Sequence, residues 1–129
     1  MRKFRFSKLV RDNIVGAIVA NGNNPIWRTL QNDEYIYELK KKLAEEATEL
    51  VGADSGETIK ELADVQEIID NLLKALKVSK KELAQAQKEK NNKNGSFRKR
   101  QYIDLVEVED NASEIEYYLK FPNKYPEVK

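Results

Sequence analysis

The chain has 129 residues, of which 35 % are charged and 40 % hydrophobic, and 23 basic against 22 acidic side chains leave a net charge of +1. That length fits one domain, the apolar share is too high for a disordered chain, and the charge balance argues against a general nucleic-acid coat. Cys and His are both absent, which excludes disulfide scaffolds, thiol nucleophiles, histidine bases and Cys/His zinc sites. Any metal would be held through oxygen, which suits magnesium, manganese or calcium.

Residues 1–6 are basic with interleaved Phe and read as an extended lead-in. Ser7 is placed to cap a helix over about Lys8–Ala20, with Leu9, Ile14, Ala17 and Ile18 on one face. The run Asn21-Gly22-Asn23-Asn24-Pro25 ends it. Residues 26–31 are rich in β-formers and predict a short strand. Asn32 is expected to cap a long helix over about Asp33–Ala53, with Ile36, Leu39, Leu43, Ala47 and Leu50 as its stripe. The pairs Glu38/Lys42, Lys41/Glu45 and Lys42/Glu46 have the i,i+4 spacing that supports a helix.

Asp54-Ser55-Gly56 predicts a tight connection and an antiparallel return helix over about Glu57–Lys77. Ser79 and Glu82 have capping-box spacing at the start of a weakly apolar helix, about Lys80–Lys90. Residues 91–96 read as a loop. In 101–108 the alternation of Tyr102, Ile103, Leu105, Val106 and Val108 predicts a second short strand, able to pair with 26–31. A short helix is expected within 111–120, capped by Asn111 or Ser113, before an irregular tail. No signal peptide and no run of eighteen apolar residues is read in the sequence, so the expectation is a cytoplasmic protein that does not engage a membrane.

The feature that asks for an explanation is a set of five carboxylates: Glu45, Glu46 and Glu49, then Glu61 and Asp64. On a helical wheel the first three share an arc beside the apolar stripe of their helix, Glu46 and Glu49 nearer to it and Glu45 farther out. Like charges on one arc lower helix stability unless cations neutralise them. On the return helix, Glu61 falls inside the arc of Leu62, Val65, Ile68, Ile69, Leu72, Leu73 and Leu76, and Asp64 lies at its edge. A buried ionised Glu is costly unless it is paired or bound to metal. Antiparallel packing would set Glu46 and Glu49 opposite Glu61 and Asp64, a group suited to magnesium. The plainer alternative is a solvated acidic face, with Glu61 near enough to the helix start to favour the dipole.

Glu45-Glu46-x-x-Glu49 followed by Glu61-x-x-Asp64, in the context KLAEEATEL…ELADV, resembles the MazG-like all-α nucleoside triphosphate pyrophosphatase superfamily. KLVRDNI, ANGNNP and NGSFRKRQYI resemble its house-cleaning, phosphoribosyl-ATP pyrophosphohydrolase-like branch. The resemblance covers residues 3–108 and leaves 109–129 as a C-terminal extension of a short helix and irregular tail. It implies an antiparallel helical bundle, here with the accessory strands near 26–31 and 101–108, assembled as a homodimer or homotetramer. It also implies cleavage of a nucleoside triphosphate between its α and β phosphates with Mg2+, or Mn2+ in its place. By position, Glu46, Glu49, Glu61 and Asp64 would be metal ligands, and Glu45 and Glu46 catalytic, Glu45 as a further ligand or as orienter of the attacking water. Two departures stand out. The eleven-residue gap between the motifs is short, and Asn13 stands where the branch commonly has Lys.

A leaving pyrophosphate needs cations, and the candidates are Lys8, Arg11, Arg98, Lys99 and Arg100, with Asp12 placed to orient Lys8 or Arg11. Trp27, Tyr35 and Tyr37 are candidates for stacking on a base, or are core aromatics. Three rival functions remain open at this stage. They are a phosphoribosyl-ATP hydrolase of histidine biosynthesis, a non-catalytic helical module docking a basic partner through its acidic face, and a nucleic-acid binder using the FRKR run.

Overall fold

Two long helices pack against each other and carry the chain's only deeply buried side chains. In the computed structural model, which describes residues 1–129, the elements in order are α1 (Ile14–Ala20), α2 (Asn32–Gly52), α3 (Ser55–Leu76), α4 (Lys80–Asn94) and α5 (Glu114–Lys120). Leu39 of α2 is 4 % exposed and Ile68 of α3 is 6 % exposed. Both belong to the apolar stripes read from the sequence, so the 3.6-residue period places the seam correctly. No helix is long and apolar enough to cross a membrane.

The return between α2 and α3 is built by one residue. The Asp54 carboxylate accepts hydrogen bonds from the backbone N–H of Gly56 and of Glu57, each at 3.0 Å. Its carbonyl accepts from the Thr58 N–H at 3.0 Å and the Thr58 hydroxyl at 2.7 Å. This is an N-cap that satisfies orphan donors of the first turn, and it starts α3 at Ser55, earlier than expected. The pair is antiparallel: Tyr35, near the start of α2, donates to Asn71, near the end of α3, at 3.4 Å. At the far end α3 stops on Lys77, whose φ of 59° is left-handed, and Val78 N–H reaches back to the Leu73 carbonyl at 2.9 Å. That closes the helix in the Schellman manner without the usual glycine.

Several local expectations are corrected. Helix α1 begins at Ile14, not near Lys8. Ser7 does not cap it, having a φ of 49°, and Leu9 and Val10 are half-buried while Arg11 is bonded to α3. Tertiary contacts therefore take residues 8–13 off the helical path. Neither 26–31 nor 101–108 is a strand. Ile26 is 94 % exposed and Ile103 is 73 % exposed, so the alternating residues bury no face that would fix a ladder. Arg28 instead makes a two-pronged pair with Glu34 at the start of α2, at 2.9 and 2.5 Å. Helix α4 runs on to Asn94 through residues read as a loop. Ser79 Oγ accepts from the Glu82 N–H at 3.1 Å, one half of the box expected there.

The chain divides into two compact units, Met1–Lys90 and Asn91–Lys129, upstream of the 108/109 boundary drawn from the sequence. In the second unit, Tyr117, Tyr118, Phe121 and Tyr125 form an edge-to-face and tilted aromatic cluster with centroids 5.2–5.7 Å apart. It gathers around α5 and the turn after it, where Tyr125 N–H bonds the Phe121 carbonyl at 2.8 Å.

Asp54→Ala should destabilise the first unit by about 1 kcal/mol, as for loss of an N-cap, and Asp54→Asn by much less. Thermal melting of the full chain checks this, and equal melting points for the two variants would disprove the capping role.

Candidate functional site

The antiparallel register brings Glu46 of α2 to Glu61 and Asp64 of α3. One carboxylate oxygen from each lies within 4.8 Å of the other two. All three residues are half-buried. The Glu46 Oε2 and Glu61 Oε2 atoms are shielded from solvent, and neither has a hydrogen-bond partner. Two shielded acceptors without a donor are costly as a resting arrangement, because each has lost water and gained no partner.

The electrostatics register this conflict at Glu46. Its carboxyl is pushed up to about 7, chiefly by burial, next by the nearness of the Glu61 carboxylate, to which only a protonated Glu46 can donate, and then by the charges of Glu49, Asp64 and Glu61. The proton on Glu46 is the cheapest local remedy when no cation is present. Asp64 has a remedy of its own. Arg11 Nη2 donates to Asp64 Oδ1 at 2.5 Å, an ion pair spanning 53 residues of sequence that ties the segment before α1 to α3.

Of the other carboxylates proposed from the sequence, Glu45 and Glu49 are exposed and stand outside the three-oxygen cluster. Glu49 is close enough for its charge to raise the Glu46 carboxyl. Lys8 lies at a shallow depression against α2, together with Leu9, Glu38, Lys41, Lys42 and Glu45. Lys41 and Lys42 were read from the sequence as partners in i,i+4 pairs. The bond formed is instead Lys41 to Glu38, at i,i+3 and 3.7 Å. Their place beside Lys8 had no signature in the sequence, because the segment carrying Lys8 reaches them only through tertiary folding.

Asp12 is exposed and makes no ion pair with Lys8 or Arg11. Its charge acts on the Tyr35 phenol, which is raised by burial first and then by Asp12 and Glu67. Arg98, Lys99 and Arg100 belong to the second unit. They are exposed in a turn where Arg100 N–H bonds the Phe97 carbonyl at 3.2 Å and Arg100 has a φ of 57°. Trp27 and Tyr37 are exposed, and the Lys41 ammonium sits 5.7 Å from the Tyr37 ring centre.

No known family matches the chain, and no solved structure matches it. The chain is similar to an uncharacterized protein of Mycolicibacterium smegmatis, at 49 % identity over 49 residues. That match covers 38 % of this chain and 50 % of the relative, so the chain spans about half the length of the curated relative it matches.

The raised Glu46 carboxyl sets a pH dependence. Between the ordinary value of 4.5 and about 7, the folded protein keeps a proton that the unfolded chain has released. Stability is therefore greatest at the acid end of this window and falls as pH rises through it. After discounting for solvent screening at a half-buried site, the loss should be about 1 kcal/mol. Chelator-treated protein should show this decline in denaturant melts, and Glu46→Gln, whose amide can donate to Glu61, should abolish it. A flat profile for the unsubstituted chain would show that the carboxylates do not oppose one another in solution.

Proposed function

We propose that the Glu46–Glu61–Asp64 cluster holds Mg2+, or Mn2+ in its place, and that the protein is a MazG-like pyrophosphohydrolase of nucleoside triphosphates. The single observation carrying this reading is the pair of shielded, partnerless oxygens on Glu46 and Glu61, set beside Asp64. An acidic face kept for solvation would turn its oxygens to water. These are shielded from it, they belong to side chains whose carboxylates approach within 4.8 Å, and the donor set is all carboxylate oxygen, which hard divalent cations prefer. A bound magnesium ion would supply charge neutralisation for the phosphate oxygens.

The remaining roles fall to the chain's own side chains. Glu45, exposed and next in sequence to Glu46, is the carboxylate left to orient water and accept its proton. The water oxygen would attack the α phosphorus, the bond from that phosphorus to the bridging oxygen would break, and pyrophosphate would leave with the electron pair. Glu49, one turn beyond Glu46 and near enough for its charge to act on it, would complete the ligand set. Lys8, with Lys41 and Lys42 around the depression beside Glu45, would offset the charge of the leaving pyrophosphate.

Assembly as a homodimer or homotetramer belongs to the same proposal. Only Leu39 and Ile68 are deeply buried, while Val51, Ile59, Leu62 and Leu76 of the same two helices are exposed. So little burial is a thin return for ordering helices of 21 and 22 residues, and further helices from other copies would cover the rest.

Pyrophosphate release should be seen from at least one member of a panel of standard and modified nucleoside triphosphates and phosphoribosyl-ATP. It should require magnesium or manganese and stop with chelator. Glu61→Gln and Asp64→Asn should each lower the rate ~100-fold or more, the scale of losing a charge-stabilising group. Release from phosphoribosyl-ATP alone would assign the protein to histidine biosynthesis. No release from any member would leave the acidic hairpin as a docking module.

Light scattering on the full chain should return a multiple of 15.0 kDa. A monomer at working concentration would refute the assembly.

A further inference from the structure

We propose that Arg11 is the site's placeholder cation: its guanidinium neutralises Asp64 until a divalent metal ion takes that carboxylate, and the freed arginine then pairs with the phosphate chain of the substrate. This rests on the metal reading above and adds to it an order of events and a residue that changes partner.

Four observations carry it. The Arg11–Asp64 bond is the only ion pair joining the segment before α1 to the helix pair. It is made to a member of the three-carboxylate cluster and to no other acid in the chain. It is also a thin attachment, since a guanidinium with five N–H donors spends one of them here. Finally, the Arg11 side chain is 58 % exposed, and its backbone precedes the first turn of α1, so it has room to move without breaking a helix. Lys8 and Leu9, seated against α2, keep the segment nearby when Arg11 lets go.

The chemistry favours exchange over a fixed arrangement. A guanidinium bonded to Asp64 would stand a few ångströms from a dication bound to the same carboxylate, and the two positive charges repel. A phosphate chain arriving with the metal offers Arg11 a better partner. Its oxygens match the planar fork in pairs, whereas Asp64 engages a single N–H. The same side chain would thus hold the metal-free site together and later mark the phosphate position.

The test measures Mn2+ binding to the full chain by electron paramagnetic resonance, without nucleotide, for the unsubstituted protein, Arg11→Ala and Arg11→Lys. It then measures inorganic pyrophosphate binding by calorimetry with magnesium present. Exposure of Arg11 makes misfolding unexpected, and circular dichroism in chelator checks it. Arg11→Ala should bind Mn2+ about 3- to 10-fold more tightly, because a competitor is gone, and bind pyrophosphate ~10-fold more weakly, because a charge-assisted bond is lost. Arg11→Lys should retain near-normal Mn2+ affinity but bind pyrophosphate more weakly. Weaker Mn2+ binding by Arg11→Ala would show that Arg11 merely orients Asp64, and unchanged affinities would show that it is a surface pair; either overturns the exchange and leaves the metal site standing. Absence of Mn2+ binding by all three proteins would overturn the exchange together with the metal site itself.

Discussion

Mutual repulsion of carboxylates across the α2–α3 seam is the constraint around which the first unit is arranged. Two unit charges at the 4.8 Å limit of the Glu46–Glu61–Asp64 cluster repel by roughly 3 kcal/mol at an effective dielectric of ~20. That is a sizeable share of the stability of any small domain. Folding presses these groups together because Leu39 and Ile68 must both leave water, and the antiparallel register that buries them also brings Glu46 to Glu61. Each means of relief visible in the molecule is cationic or protic. Glu46 holds a proton more tightly than an ordinary carboxyl, and Asp64 accepts from Arg11. Glu61 Oε2 has no partner, and there the arrangement is unbalanced.

The precision of that alignment comes from the turn. Between the last residue of α2 and the first of α3 lie only Ala53 and Asp54. So short a link leaves little freedom in register, and Asp54 removes more by binding two N–H groups at once. A slip of one residue would rotate a helix face by about 100° and carry Glu61 away from Glu46. The tight gap between the acidic motifs therefore has a structural purpose here. Both motifs lie close to the turn, where the hairpin is stiffest.

The two units are built by different means. The first rests on a helix seam and a few long-range polar links, among them Tyr35 to Asn71 and Arg11 to Asp64. The second gathers three tyrosines and a phenylalanine within a short span of chain, Tyr117 to Tyr125. Aromatic groups stack efficiently over short loops, so a local cluster can form without a long helix to present it. Helix α4, solvent-exposed along its length, contributes helix propensity and a Ser79 cap but no core.

Much of the first unit was legible in the residues themselves. The 3.6-residue period located both long helices and the seam residues Leu39 and Ile68, and the wheel position of Glu61 placed its carboxyl on the covered side. These are local properties, governed by dihedral geometry and by which side chains avoid water. What depended on distant partners could not be read. The alternation in 101–108 resembles a strand, but no second strand or apolar face is there to fix it. The helix foreseen from Lys8 starts only at Ile14 because Leu9 lies against α2 and Arg11 against Asp64. Which three of the five acids converge was likewise decided by packing, since the wheel gives an angle and only the folded hairpin gives a distance.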